Sequence, residues 1–127
     1  MLKSEILNAP LLGALAKCGH TDTVVIADCG LPIPQGPMVV DLAFIQGLLS
    51  FEQVLEVLAR NMVIERSTLA AEAKDGLVQD LCSANGLDPQ FITHEELKAE
   101  LPKAKIIIRT GEATPYANAI LHCGVAF

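Results

Sequence analysis

The sequence contains no tryptophan and one tyrosine, and aromatic residues make up 4% of its 127 positions. It is therefore poor in platforms on which nucleic-acid bases could stack. Positive charge is also scarce: Lys and Arg total 9 against 15 Asp and Glu, for a net charge of −6 and a pI near 4.9. Such a chain repels a phosphate backbone, so nucleic acid is not an expected partner. No apolar run approaches the roughly 20 residues of a membrane span. Met1 to Ala9 is polar-mixed, and Leu11 to Ala16 is too short for a signal-peptide core. Neither membrane insertion nor export is expected. Four cysteines (Cys18, Cys29, Cys82 and Cys123) form no C-x-x-C pair. They read as reduced thiols of a cytoplasmic protein. There is no P-loop and no G-x-G-x-x-G after a strand, so a nucleotide cofactor is not expected. Cys18 with His20, and His122 with Cys123, are plausible ligand pairs, but their spacings match no usual zinc pattern. A metal is not expected either.

What is present is apolar. Hydrophobic residues reach 51% while charged residues reach only 19%, and mean hydropathy is +0.42. The length suits one domain. A domain this small leaves much of its surface uncovered, so the apolar excess predicts burial against other copies of the chain. Gly and Pro punctuate short segments. Asn8 caps a first helix with Pro10 in its first turn and Gly19 as its stop. Thr23 to Ala27 reads as a buried strand. Val39 to Ile45 reads as another. Ser50 and Gln53 form a capping box for a helix from Phe51 to about Asn61. Met62 to Leu69 is a strand leading into an Ala/Glu-rich helical stretch. Gly76 to Ala84 is a short helix, and Phe91-Ile92 a brief strand. Thr93 and Glu96 cap a helix to about Leu101. Lys105 to Arg109 and Ala117 to Val125 are the last strands. The alternation predicts a single α/β domain: a central mixed, largely parallel sheet covered by helices.

Few residues could carry chemistry. His20 follows the helix stop and precedes the first strand; Asp28 lies at that strand's far end. Ligands of open α/β sheets collect beyond strand carboxyl ends, which suits Asp28 and not His20. The two are roughly 20 Å apart if the stretch is extended. One site within one subunit cannot easily use both unless the chain curls back, whereas a site between subunits could. The bland readings are a turn histidine for His20 and a local turn former for Asp28. His94 opens a capped helix, and His122 reads as a packed core or interface histidine. Arg109 to Asn118 concentrates polar groups between two strands. Its Tyr116 and Asn118 carry a flat face, a hydroxyl and an amide, the equipment for gripping a polyol. The alternative is a strand connection in which Tyr116 merely packs.

Gly19-His20-Thr21-Asp22-Thr23, then Asp28-Cys29-Gly30-Leu31-Pro32-Ile33-Pro34, resembles the amino-terminal motif of the RbsD/FucU sugar mutarotases. Arg109-Thr110-Gly111-Glu112, Pro115-Tyr116-Ala117-Asn118 and the closing Gly124-Val125-Ala126-Phe127 resemble that family's carboxyl terminus. Asp41 to Glu72 is also similar, so the likeness covers nearly the whole chain. Gly-Leu-Pro-Ile-Pro marks the ribose (RbsD) side rather than the fucose side. The chain departs from the family pattern at Gln35 to Val39 and is shorter than some relatives between Lys74 and Gln90. The resemblance implies a cytoplasmic isomerase that interconverts the pyranose and furanose forms of D-ribose without metal or organic cofactor. It implies His20 as the catalytic acid, and Asp28, His94, Tyr116, Ala117 and Asn118 as sugar-binding positions. It also implies a homodecamer of two pentameric rings with sites near subunit boundaries. Histidine suits such ring opening because its unperturbed pKa of about 6.5 lies near neutral pH. The rival reading is a non-catalytic sugar-binding module of an uptake or sensing system; a metal-dependent hydrolase is a distant third.

Overall fold

The computed structural model describes residues 1–127. Along it run α1 (Ala9–Leu15), β1 (Thr23–Ala27), β2 (Met38–Asp41), α2 (Phe51–Asn61), β3 (Ile64–Ala70), α3 (Leu77–Ala84), β4 (Gln90–Ile92), α4 (His94–Glu100), β5 (Ile106–Arg109) and β6 (Ala119–Cys123). Short 3-10 turns occupy Ala71–Ala73 and Leu101–Lys103. The strands form one sheet in the order β2-β5-β1-β6-β3-β4. The β2–β5, β5–β1 and β3–β4 pairs are parallel, and β6 runs antiparallel to both of its neighbours. The sheet is thus mixed and largely parallel, as the alternation of elements predicts.

Alternating strand residues serve two cores. Val24, Ile26, Ile106, Ile108 and Leu121 face α1, α2 and α3. Val25, Ala27, Ile107 and Ile120 face the other way, onto Leu97 of α4 and Leu101. In α2, Phe51, Val54, Leu55 and Leu58 are all buried. Their i, i+3, i+4, i+7 spacing puts them on one stripe. Burying each such side chain contributes about 1.5–3 kcal/mol. Both capping-box bonds at its start are made: Gln53 N donates to Ser50 Oγ at 3.1 Å, and Ser50 N donates to Gln53 Oε1 at 2.9 Å.

Several boundaries differ from the sequence reading. β2 stops at Asp41 because the Asp41 carboxylate takes the Ala43 N–H at 3.0 Å, turning the chain out of the ladder. The apolar residues that follow include Phe44, Ile45 and Leu48, all exposed. Their backbone pairs with a loop instead: Gly111 N donates to Leu49 O at 2.8 Å, and Gly47 N donates to Gly111 O at 2.6 Å. α1 ends at Leu15, before Gly19, and tightens into i→i−3 bonds from Lys17 and Cys18. The Ala/Glu-rich stretch after β3 yields only one 3-10 turn, because Asp75 takes a left-handed backbone with φ 58°. β6 is shorter than expected at both ends. Ala117 and Asn118 belong to a turn, and Gly124 N leaves β1 to pair with Val63 O.

The loop after β5 straps the sheet to α2. The Glu112 carboxylate accepts N–H bonds from Phe51 at 3.0 Å, Ala113 at 3.1 Å and Thr114 at 3.0 Å. Burial works against its ionisation, but these donors, Phe51 N–H foremost, outweigh it and hold the carboxyl below its usual range. Next to it, a Cβ on Gly111 would lie 1.8 Å from the Leu48 carbonyl oxygen. Only glycine lets these two backbones meet.

Gly111→Ala is expected to lose about 3 kcal/mol of stability, read by urea unfolding, because backbone must move to admit the methyl. Glu112→Gln tests the strap. A carboxylate whose pKa is lowered on folding stabilises above its unfolded pKa, and that stabilisation is lost as pH falls through the folded value. The wild type should therefore exceed Glu112→Gln in stability at pH 7, and the gap should shrink as pH falls below the usual carboxylate range. An equal gap at pH 7 and pH 3 would refute the ionised strap.

Candidate active site

At the carboxyl end of β1, the Ala27 carbonyl accepts both the backbone N–H (2.9 Å) and the hydroxyl (2.8 Å) of Thr110. The next residue, Asp28, is held on three sides. Its N–H donates to Asn118 Oδ1 at 2.7 Å, its Oδ2 accepts from Asn118 Nδ2 at 3.0 Å, and its Oδ1 accepts the Gly30 N–H at 2.9 Å. Asp28 is thus a turn former and a partner of Asn118 at once. Asn118 is fully buried, with its amide turned onto Asp28.

Tyr116 stands two residues earlier with φ 61°, a left-handed backbone that costs a non-glycine residue about 1–2 kcal/mol. The bonds from Asn118 N to Tyr116 O (2.9 Å) and from Ala117 N to Thr114 O (3.3 Å) hold that turn. Tyr116 stays 39% exposed, so its ring is open to a ligand. It meets the His94 ring edge to face, with centroids 5.1 Å apart and planes at 79°. His94 is the first residue of α4, and its backbone N–H donates to the Glu72 carboxylate at 3.0 and 3.3 Å. The Nδ1 of His94 is enclosed without a hydrogen-bond partner. Arg109 ties the rim together: Nη1 lies 3.2 Å from both Asp41 carboxylate oxygens, and Nη2 donates to Cys29 O at 3.1 Å. The fold therefore brings Asp28, His94, Tyr116, Ala117 and Asn118 into one cluster at the strand carboxyl ends.

His20 is not among them. It lies before β1, at the opposite end of the sheet, where its Nε2 sits 3.1 Å from Glu65 Oε2. Beside it runs a groove of about 600 Å³, lined by Leu12, Leu15, Met62, Val63, Val125 and Phe127 among others. His122 faces away from this groove. Its Nδ1 is 3.0 Å from Arg66 Nη2 and its Nε2 is 3.3 Å from Thr68 Oγ1. Burial, then the Arg66 charge, pushes its pKa down. Both ring nitrogens are occupied, which accounts for His122 as a packing residue. No three His, Cys, Asp or Glu side chains converge in a way that could hold a metal ion. Burial, with Cys18 beside it, pushes the Cys123 thiol up to about 11, far from a ready nucleophile.

Sequence reading gave no role to Glu65 and Glu72, which bond to His20 and His94 from 45 and 22 positions away; no local spacing signals such pairs. Glu112 stood inside the polar Arg109–Asn118 segment, but nothing local says that it caps α2.

Residues 1–126 match the RbsD / FucU transport protein family. The chain is 51% identical over 131 residues to a D-ribose pyranase of Bacillus cereus (strain B4264), with 100% of both chains covered. It is 50% identical, at the same coverage, to a D-ribose pyranase of Bacillus anthracis. The solved structure of Bacillus subtilis RbsD complexed with D-ribose superposes with a TM-score of 0.90, at 44% identity over 100% of both chains. The fucose mutarotase of Streptococcus pneumoniae, solved with L-fucose, shares the fold at TM-score 0.77 and 21% identity, over 94% of each chain. With a full-length match in sequence and the same sheet in space, the chain belongs to the RbsD/FucU family.

Proposed function

We propose that this chain is a D-ribose pyranase, interconverting the pyranose and furanose forms of D-ribose in the cytoplasm. The observation that carries this reading is the 51% identity to a D-ribose pyranase across 100% of both chains. The polyol-gripping cluster at the strand ends supports it independently. The four free cysteines fit a reducing compartment.

The reaction is a proton rearrangement. As the C1–O5 bond of the pyranose opens, O5 gains a proton and the anomeric hydroxyl loses one. The 4-hydroxyl of the open aldehyde then attacks C1 and gives up its proton, while the carbonyl oxygen takes one back. Nothing is oxidised and no group is transferred. His20 donates the proton to the ring oxygen. Such acid–base assistance is worth about 10²–10⁴-fold, a useful scale for a reaction that also proceeds unaided. Asp28 orients a sugar hydroxyl, and Asn118, whose amide is engaged with it, fixes the direction of that carboxylate. Tyr116 offers its hydroxyl and ring face, His94 offers Nε2, and Ala117 leaves room.

The acid and the grip belong to different copies of the chain. Within one copy they are separated by the five residues of β1, a rise of roughly 16 Å, more than one pentose can bridge. A site needs the strand-end cluster of one subunit and His20 of the next. Such head-to-tail contact is heterologous and closes into a ring, in accord with a decamer of two pentamers. The exposed Phe44 (84%), Val63 (45%) and Phe127 (106%) supply apolar surface for these contacts.

Magnetisation transfer between pyranose and furanose anomeric protons of D-ribose is expected to speed up with the protein, and L-fucose to respond far less. No acceleration of ribose by assembled protein would refute the assignment. His20→Ala and Asp28→Ala should each abolish most exchange and still assemble. Refolding the two variants together at equal amounts should restore about one quarter of wild-type activity, the share of boundaries with both intact halves in a random ring. No recovery in mixed rings would place each site within one subunit.

A further inference from the structure

We propose that Glu65 is the positioning residue of the acid: it grips His20 by Nε2 and leaves Nδ1 as the atom that exchanges protons with the sugar. This rests on the pyranase reading for its chemistry, and on geometry alone for its contact. Glu65 Oε2 lies 3.1 Å from His20 Nε2. Three separate features of the backbone serve that contact. The β3–β6 register shifts between Ile64 and Arg66, so Glu65 is the extra residue of the strand. A bulge of this kind re-aims a side chain that a regular ladder would point elsewhere. Opposite it stands Gly124, where a Cβ would lie 2.9 Å from Val63 Cγ1 and 3.3 Å from Glu65 Cβ. The glycine keeps the space that Glu65 fills. Thr21, next to His20, has φ 72°, a conformation that a β-branched residue rarely takes. Its N–H is tied to Cys123 O at 3.0 Å, which holds the strained turn in place.

The other ionisable groups nearby are engaged differently. Asp22 accepts the Gly19 N–H at 2.9 Å and faces Lys105 Nζ at 3.6 Å. The Cys18 and Cys123 thiols line the groove beside the ring. Glu65 is the carboxylate that reaches the imidazole. The pair is half open to water, with side chains 51% and 47% exposed. An exposed ion pair contributes little to stability, so a structural role is a poor account of this arrangement. A neighbouring subunit and a bound sugar would exclude that water and strengthen the interaction where it acts on catalysis. The carboxylate then locks the ring's rotation and steadies the imidazolium each time His20 regains its proton.

The test uses the assembled protein, with Glu65→Gln, Glu65→Ala and Glu65→Asp variants and ribose exchange measured in each. Glu65→Gln and Glu65→Ala are expected to lower kcat by about tenfold or more, within the range of acid–base catalysis, with KM held within about twofold. Glu65→Asp should recover part of kcat, and urea unfolding of all three should match wild type. An unchanged kcat, or a loss that follows stability or assembly, would overturn the proposal. If wild-type protein fails to speed ribose exchange, the pyranase reading falls, and the contact is judged separately. The ¹⁵N signals of the His20 ring should change at Nε2 between wild type and Glu65→Gln; identical signals would overturn the positioning role by itself.

Discussion

The Asn118 carboxamide, fully buried between the end of β1 and the start of β6, closes the carboxyl edge of the sheet. A buried amide left without partners would cost about 1–3 kcal/mol, so its two bonds to Asp28 hold both strand ends to one geometry. What surrounds it depends on that geometry. The Asp28 carboxylate, anchored on one oxygen by Asn118, can use the other to take the Gly30 N–H and start the proline-bearing loop. The chain entering Asn118 must turn sharply, and Tyr116 accepts a left-handed backbone to do so. That turn lays the tyrosine ring against His94, on a helix that begins elsewhere in the sequence. Strain and buried polar groups thus gather at the carboxyl edge of the sheet, the kind of place where folds hold their binding sites.

The sheet is covered unequally. Three helices pack on one face, and on the other a single short helix with its 3-10 turn covers only part of it. Apolar side chains remain exposed near both ends: Phe44, Ile45 and Leu48 near the strand carboxyl ends, and Val63, Val125 and Phe127 near His20. A domain of this size cannot bury that surface alone. The same construction sets His20 at one end of the sheet and Asp28 at the other, so the proposed assembly of copies would both cover the apolar surface and bring the two together.

Local signals were legible where local physics decides. The capping box at Ser50, the cap at Thr93 and the β-branched runs at Thr23–Ala27 and Ile106–Arg109 all depend on neighbours within four positions or on simple alternation. Two of the boundaries that shifted were decided by distant partners. β2 ends early at the Asp41 turn, and the backbone beyond it pairs with Gly111, about sixty residues on. β6 begins late because Asn118 is needed by Asp28, 90 positions away. The candidate site residues were assigned through the family motifs, and their types suit a polyol. Glu65 and Glu72, which bond to His20 and His94, lay inside the similar Asp41 to Glu72 stretch, but no local pattern singled them out.

By itself, the sequence determined the class of the fold, the order of its elements, the family and the residue types that could grip a sugar. These follow from hydrophobic spacing, caps and short motifs, which act along the chain. Only the tertiary structure decided which of those residues meet. It gathered Asp28, Asn118, Tyr116 and His94 at one end of the sheet, and placed His20 with Glu65 at the other. The reason is the direction of the strands: a parallel sheet delivers strand ends to one edge and strand starts to the other, and residues eight apart in sequence finish on opposite sides of the molecule.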